Sequence, residues 1–176
     1  GSSVQLDGTN DHVTLPAGVA SGLGDFTIAA WVKLDAPGNW SRVFDFGSGT
    51  DNYMFLTPRV GTNGNVRFAI RTPSQAEQII NGAAPLATGV WTHVAVTRSG
   101  TLGTLYVDGN AVGNNAINLA PADLGRTTLN YLGRSQWPAD SYLDGQLDDF
   151  RILPSALSAA DVAALASGPP VITSPT

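Results

Sequence analysis

The chain has 176 residues, no cysteine, only 13% charged residues and a formal net charge of −5. That length suits one domain able to bury roughly 70% of its unfolded surface without disulfides, and the missing cysteines exclude bridges and thiolate chemistry. The acidic balance, with Lys33 the single lysine beside eight arginines, argues against nucleic acid or anionic membrane as a partner, since both need clustered basic groups.

No apolar run approaches the ~20 residues of a membrane helix. No signal peptide is visible, and Gly1-Ser2 reads as a cloning scar ahead of a domain over 3–167. Glu77 is the single glutamate against thirteen aspartates. Most glycosidases need two carboxyl groups flanking the scissile bond, so a catalytic pair here would have to include aspartate.

In chain order, residues 3–15 read as two short strands around a turn, with Val4, Leu6, Val13 and Leu15 at apolar positions and Asp7-Gly8 and Asn10-Asp11 as turn chemistry. Residues 25–34 alternate Phe26, Ile28, Ala30, Val32 and Leu34 on one face, with Trp31 on the other, which predicts a strand covered on both sides. Trp40 lies in a loop over 36–42, and strands follow over 42–47, 52–58, 65–71 and, shorter, 77–81. Residues 89–113 hold two hairpin signals, Ser99-Gly100 and Asp108-Gly109, each between β-rich runs.

After a Pro- and Asp-containing loop over 119–126, the last third supplies a strand, a polar aromatic loop and a long acidic strand. It closes the sandwich made by the earlier strands. Around ten to twelve strands at 8–12-residue spacing give an all-β sandwich. One short helix ends it: Ser158 caps, Asp161 sits three residues later, and Val162 and Leu165 share a face. Residues 168–176 are Pro-rich and polar and read as the start of a linker to another domain.

Five strings in this order carry a resemblance: LDGTNDHVTLP, FTIAAWVKLD, WTHVAVTRSGTLGTLYVDGNAVG, LGRS and LDGQLDDFRILPSALSAADVAAL. Together they resemble the laminin-G-like, concanavalin A-like jelly-roll modules that accompany secreted bacterial carbohydrate-active enzymes. The resemblance implies a two-sheet antiparallel jelly-roll sandwich, often with calcium and sometimes with a glycan site. It implies a structural calcium ion held by Asp149 with Asp7 and Asn10, oxygen ligands that suit calcium better than zinc. The residues alone leave open that Asp149 pairs with Arg151 or Lys33, or caps a turn. Asp148 and Asp149, adjacent in a strand, should point to opposite faces and so form no joint grip or catalytic dyad.

The loops over 48–55 and 133–142 are polar and aromatic. Asp51-Asn52 resembles the first calcium-dependent ligand loop of pentraxins, and Gln136 with Asp140 resembles the second, although the glutamate of that pattern is missing. A direct sugar site needs an aromatic face and planar polar groups at the hydroxyls. Trp40, Tyr53, Trp137 and Tyr142 are its candidate platforms, with Tyr142 also a candidate to begin the buried strand. Arg71, Arg134, Asp51, Asn52 and Gln136 are the candidate polar partners.

Among enzyme readings, glucanases of this shape need a multi-glutamate strand, and one glutamate rules that out. Lyases of this shape need a His and Tyr on the concave face, whereas His93 lies in a structural-looking strand and His12 in a turn. An inverting hydrolase using Asp51 and Asp140 has no positive support. The expectation is a non-catalytic, lectin-like carbohydrate-binding accessory module, monomeric, secreted, and linked to a glycan-degrading catalytic domain. The alternatives are a structural or protein-contact module without a sugar site and, last, a glycan-cleaving enzyme.

Overall fold

The computed structural model describes residues 2–36, 38–62 and 64–170. Of the linker expected over 168–176, residues 171–176 lie outside the described residues, as does Gly1. Two antiparallel six-stranded sheets face each other. The first runs, in spatial order, β1 (Val4–Asp7), β12 (Asp144–Leu153), β3 (Phe26–Ala36), β8 (Trp91–Ser99), β9 (Leu102–Val107) and β10 (Asn110–Ala116). The second runs β2 (Val13–Thr14), β11 (Leu129–Leu132), β4 (Phe44–Gly47), β5 (Tyr53–Thr57), β6 (Arg67–Thr72) and β7 (Gln75–Asn81). This is the expected jelly-roll sandwich, and the last third closes both sheets: β11 enters between β2 and β4, and β12 between β1 and β3.

Period-2 alternation builds the core. Phe26, Ile28, Ala30, Val32 and Leu34 of β3 all turn inward, where they meet Phe44, Phe46, Met54, Leu56, Phe68 and Ile70 of the second sheet. The other face of β3 is covered too. Ala29 packs with Ala95, Tyr106 and Val162, and Trp31 lies edge-on to His93 at 5.3 Å. Asp108 and Gly109 both take positive φ at the β9–β10 turn (49° and 77°), the geometry that a two-residue hairpin matched to strand twist requires.

Helix α1 (Ala159–Leu165) is too short to stand alone and survives by docking the fully buried Val162 on the first sheet. The Ser158 hydroxyl accepts from the Asp161 N–H at 3.2 Å and donates to the Asp161 carboxylate at 2.6 Å. Ser158→Ala is therefore expected to cost about 1 kcal/mol, read as a drop of about 2–4 °C in melting temperature with unchanged ligand binding.

The two short strands expected around the first turn form as β1 and β2, and they enter different sheets. Between them the Asp7 carboxylate gathers the N–H groups of Thr9, Asn10 and Asp11 and steers the chain across the sandwich. One local expectation is corrected: Asp148 and Asp149 do not alternate. The register moves from Asp148 opposite Trp31 to Arg151 opposite Ala29, so two residues stand against one. This is a β-bulge, with Asp149 at φ 49°. Leu147 and Phe150 both reach the core, and the two aspartates between them do not.

Candidate functional site

The alternation that buries Phe44 and Phe46 places Asp45 between them on the opposite face of β4. Register sets Asp45 beside Phe55, and Gly47 beside Tyr53. Tyr53, Phe55 and Ala69 form an apolar floor outside the main core, and Trp40, Ile79 and Trp137 pack against it. An acid on such a floor needs a cation, and Arg42 supplies it. Its Nε donates to Asp45 at 3.2 Å and its Nη2 to Asp140 at 2.9 Å, and its Nη1 donates to the Trp40 carbonyl. The guanidinium lies 4.0 Å from the centre of the Phe55 ring and 5.5 Å from that of Trp137. Arg42 is 2% exposed and Asp45 fully enclosed.

Burial dominates the electrostatics of this pair. It lowers the Arg42 pKa despite Asp45 and Asp140. It also pushes the Asp45 carboxyl up to about 6, against the opposing pull of Arg42 and of hydrogen bonds from Gln136.

The loop from Arg134 to Asp140 is tied down on Asp45. Gln136 donates its backbone N–H to Asp45 Oδ2 at 3.2 Å and its side-chain amide to Oδ1 at 2.7 Å. Its amide oxygen accepts from the Gly49 N–H at 2.5 Å. Ser135 donates its hydroxyl to Asp140 at 2.7 Å and accepts the Trp137 N–H at 3.1 Å. These bonds stand Trp137 edge-on to Tyr53, with centroids 4.8 Å apart. The result is an open cleft of about 260 Å³ lined by Trp40, Arg42, Tyr53, Phe55, Glu77, Trp137 and Asp140. The Tyr53 hydroxyl donates to Glu77 at 2.7 Å, and burial together with that carboxylate raises the Tyr53 pKa.

Of the residues expected from sequence, Trp40, Tyr53 and Trp137 meet in this cleft. Tyr53 serves as floor rather than as an exposed platform, being only 4% exposed. Gln136 holds the loop instead of lining the cleft. Arg71 stands opposite Tyr53 in the register and acts on its hydroxyl, outside the cleft lining. Asp51 and Asn52 do not line it: Asp51 is exposed, and Asn52 donates to the Leu124 carbonyl at 3.0 Å, bracing the turn at Pro121–Leu124. Asp51 therefore does not share the cleft with Asp140. Arg134 falls on the far side of the loop, over Tyr131. Tyr142, half-buried just before β12, has its ring beside His12. His93 is 3% exposed in the other sheet, with its pKa lowered by burial.

Sequence reading missed Arg42, Asp45, Phe55 and Glu77 as site residues. The one available signal was the FDF string: an acid between two core phenylalanines must face outward on a covered strand, where it demands a buried partner.

The three residues expected to hold calcium do not converge. Asp7 pairs with Asp144 at one end of β1, while Asp149 lies beyond the Val4–Leu147 pair at the other. At strand rise that is roughly 16 Å of separation. Asp7 Oδ1 is occupied by three backbone N–H groups, which lower its pKa. Asp149 is held by Arg151 at 2.8 and 2.7 Å, and the Asn10 carbonyl faces His12 Nδ1 at 3.0 Å. Asp7, Asn10 and Asp149 do not fit a shared calcium ion. Among the described residues no group of three or more His, Cys, Asp or Glu is placed to hold a metal.

A family model described as the concanavalin A-like lectin/glucanases superfamily matches residues 7–163. No curated protein sequence matches the chain at a significant level. Among solved structures, the chain is similar to domain 4 of AbnA, a GH43 extracellular arabinanase from Geobacillus stearothermophilus, in complex with arabinotriose. Identity is 23%, coverage 94% of this chain and 76% of that one, and the TM-score 0.81. It is also similar to the CBM40 of Ruminococcus gnavus IT-sialidase bound to α2,3 sialyllactose, at 15% identity, 95% and 97% coverage and TM-score 0.77. A SAP-like pentraxin from Limulus polyphemus matches at 18% identity, 94% and 81% coverage and TM-score 0.64. At these identities the likeness establishes the fold.

Proposed function

The chain belongs to the concanavalin A-like lectin/glucanases superfamily, and from that premise we propose that it is a non-catalytic carbohydrate-binding module. The observation that carries the reading is the cleft whose indole walls, Trp40 and Trp137, stand over a floor stiffened by the buried Arg42. Aromatic walls offer faces and edges to the C–H side of a sugar ring, and carboxylates beside them accept its hydroxyls. Glu77 and Asp140 occupy those positions. Two carboxylates against one guanidinium in the lining, with Asp45 behind them, favour a neutral sugar over an anionic one. A domain that shares this fold was solved with the neutral arabinotriose.

Delivery of a secreted glycan-degrading enzyme to its polymer is the role that follows, supported by neighbours that belong to an extracellular arabinanase and to sialidases. The test is titration calorimetry against neutral pentose and hexose oligosaccharides, with Trp137→Ala as the diagnostic variant. Loss of one indole is expected to weaken binding at least about tenfold, since an aromatic stacking contact contributes about 0.5–1.5 kcal/mol beyond its buried area. The melting temperature should move by no more than about 2–4 °C. Unchanged affinity in Trp137→Ala, or no binding by the unaltered protein across the panel, overturns the proposal.

A further inference from the structure

Across the Arg134–Asp140 loop lies a second depression, of about 120 Å³, lined in part by Arg134, Gln136, Trp137, Asp140 and Tyr142. Trp137 and Asp140 border both depressions, so the loop is a ridge between two adjoining hollows. Their charges differ. The first hollow has its guanidinium neutralised by Asp45 and Asp140. In the second, Arg134 makes no ion pair with a carboxylate among the described residues, unlike Arg42, Arg98 and Arg151.

Arg134 is nonetheless held in place. Its guanidinium lies 4.7 Å from the ring centre of Tyr131 and 6.0 Å from that of Tyr142. His12 sits edge-on to Tyr131 at 5.5 Å and completes the cluster. The Asn10 carbonyl lies 3.0 Å from His12 Nδ1, which assigns the proton of the neutral ring to that nitrogen. Nε2 is then the acceptor that faces Arg134 Nη1 at 3.4 Å. One of the five guanidinium donors is thereby used. Among the described residues the others have no hydrogen-bond partner. A positioned, half-buried guanidinium with spare parallel donors suits bidentate recognition of a planar anion.

We propose that this hollow is a second subsite, which takes a sugar residue bearing a carboxylate while a neutral neighbour in the same oligosaccharide occupies the Trp40–Trp137 cleft. The inference rests on the carbohydrate-binding reading and extends it: the preferred ligand spans at least two residues, crosses the Trp137 ridge and carries one acid group on the Arg134 side. A uronic acid and a sialic acid present the same carboxylate chemistry, and the test separates them.

The unaltered protein is titrated with xylotriose, arabinotriose and a xylotriose bearing one glucuronate, and in parallel with lactose and sialyllactose. An acid-bearing sugar is expected to bind about tenfold more tightly than its neutral counterpart, a gain typical of a charge-assisted pair. That preference should shrink as salt is raised. Arg134→Gln is expected to abolish the preference, and Arg134→Lys, which keeps the charge but loses the planar fork, to retain only part of it. Preference for the glucuronate sugar supports the subsite with a uronate as occupant, and preference for sialyllactose over lactose supports it with a sialate. Binding of neutral sugars without preference for either acid, or a preference that survives Arg134→Gln, overturns the second subsite and leaves the carbohydrate-binding reading standing. No binding to any of the five overturns both.

Discussion

Arg42→Ala is expected to destabilise the protein by about 3–5 kcal/mol, lowering the melting temperature by about 6–20 °C. The loss comes less from the attraction removed than from the charge left behind. Asp45 is fully enclosed, and without Arg42 it faces phenylalanine rather than a guanidinium. Deleting one member of a buried pair leaves the other without compensation, whereas deleting both together is often neutral. Arg42→Met combined with Asp45→Leu should therefore recover most of the stability in a denaturant melt. The double variant should still fail to bind sugar, because Gln136 and Asp140 lose the groups that hold their loop. Recovery of both stability and binding by the double variant would show that the pair does not organise the cleft.

Affinity for sugar is expected to fall as the pH drops through about 6, approaching a hundredfold loss near pH 4. Asp45, with its carboxyl pushed up to about 6 by burial, accepts three hydrogen bonds, from Arg42 Nε and from the backbone and side-chain N–H groups of Gln136. A proton on either oxygen must displace one of those donors, and the Trp137 loop loses an anchor. Two pH units below the pKa, about one carboxyl in a hundred remains ionised.

Stability moves the other way. A carboxyl whose folded pKa lies above its unfolded value binds its proton more tightly in the native state. Its contribution therefore grows as pH falls from about 6 to about 4 and is constant outside that window. Calorimetric titrations and melts over pH 4–8 should thus diverge, with affinity lost where this term stabilises the fold. A decline that sets in near pH 6 identifies Asp45, since ordinary carboxylates titrate near pH 4. An affinity flat from pH 4 to 7.5 would refute the coupling.

The sandwich is legible in the sequence because its signals are local. Alternating apolar positions in β3 and the turn pairs Ser99-Gly100 and Asp108-Gly109 each report on a few neighbours, and the structure agrees at each place. The indoles of the cleft are legible for the same reason, being large apolar groups in polar loops. What the sequence hides depends on register. Asp7 and Asp149 look like plausible neighbours until β1 is aligned on β12, which sets them at opposite ends. The bulge at Asp149 leaves the string LDDF looking like an ordinary strand, because an extra residue shows only against a partner. Arg42 falls where the expected loop over 36–42 meets the expected strand over 42–47, and nothing in that string marks it as buried. Only the assembly of β4, β5 and the Arg134–Asp140 loop reveals that it is enclosed by three aromatic rings.

The insertion of β12 between β1 and β3 has a consequence for how the protein comes into being. Val4 finds Leu147, and Trp31 finds Asp148, only across more than a hundred residues of intervening chain. Loops of that length must close before their contacts stabilise anything, which places such topologies among the slow folders, in milliseconds to seconds. During synthesis at about 5–20 residues per second, β3 waits for its neighbour β12 for several seconds with one edge unpaired. Until the last strand leaves the ribosome, the nascent chain carries an apolar edge open to β-pairing with another copy. Arrival of residues 144–153 covers that edge, because β12 pairs with β3 on one side and β1 on the other.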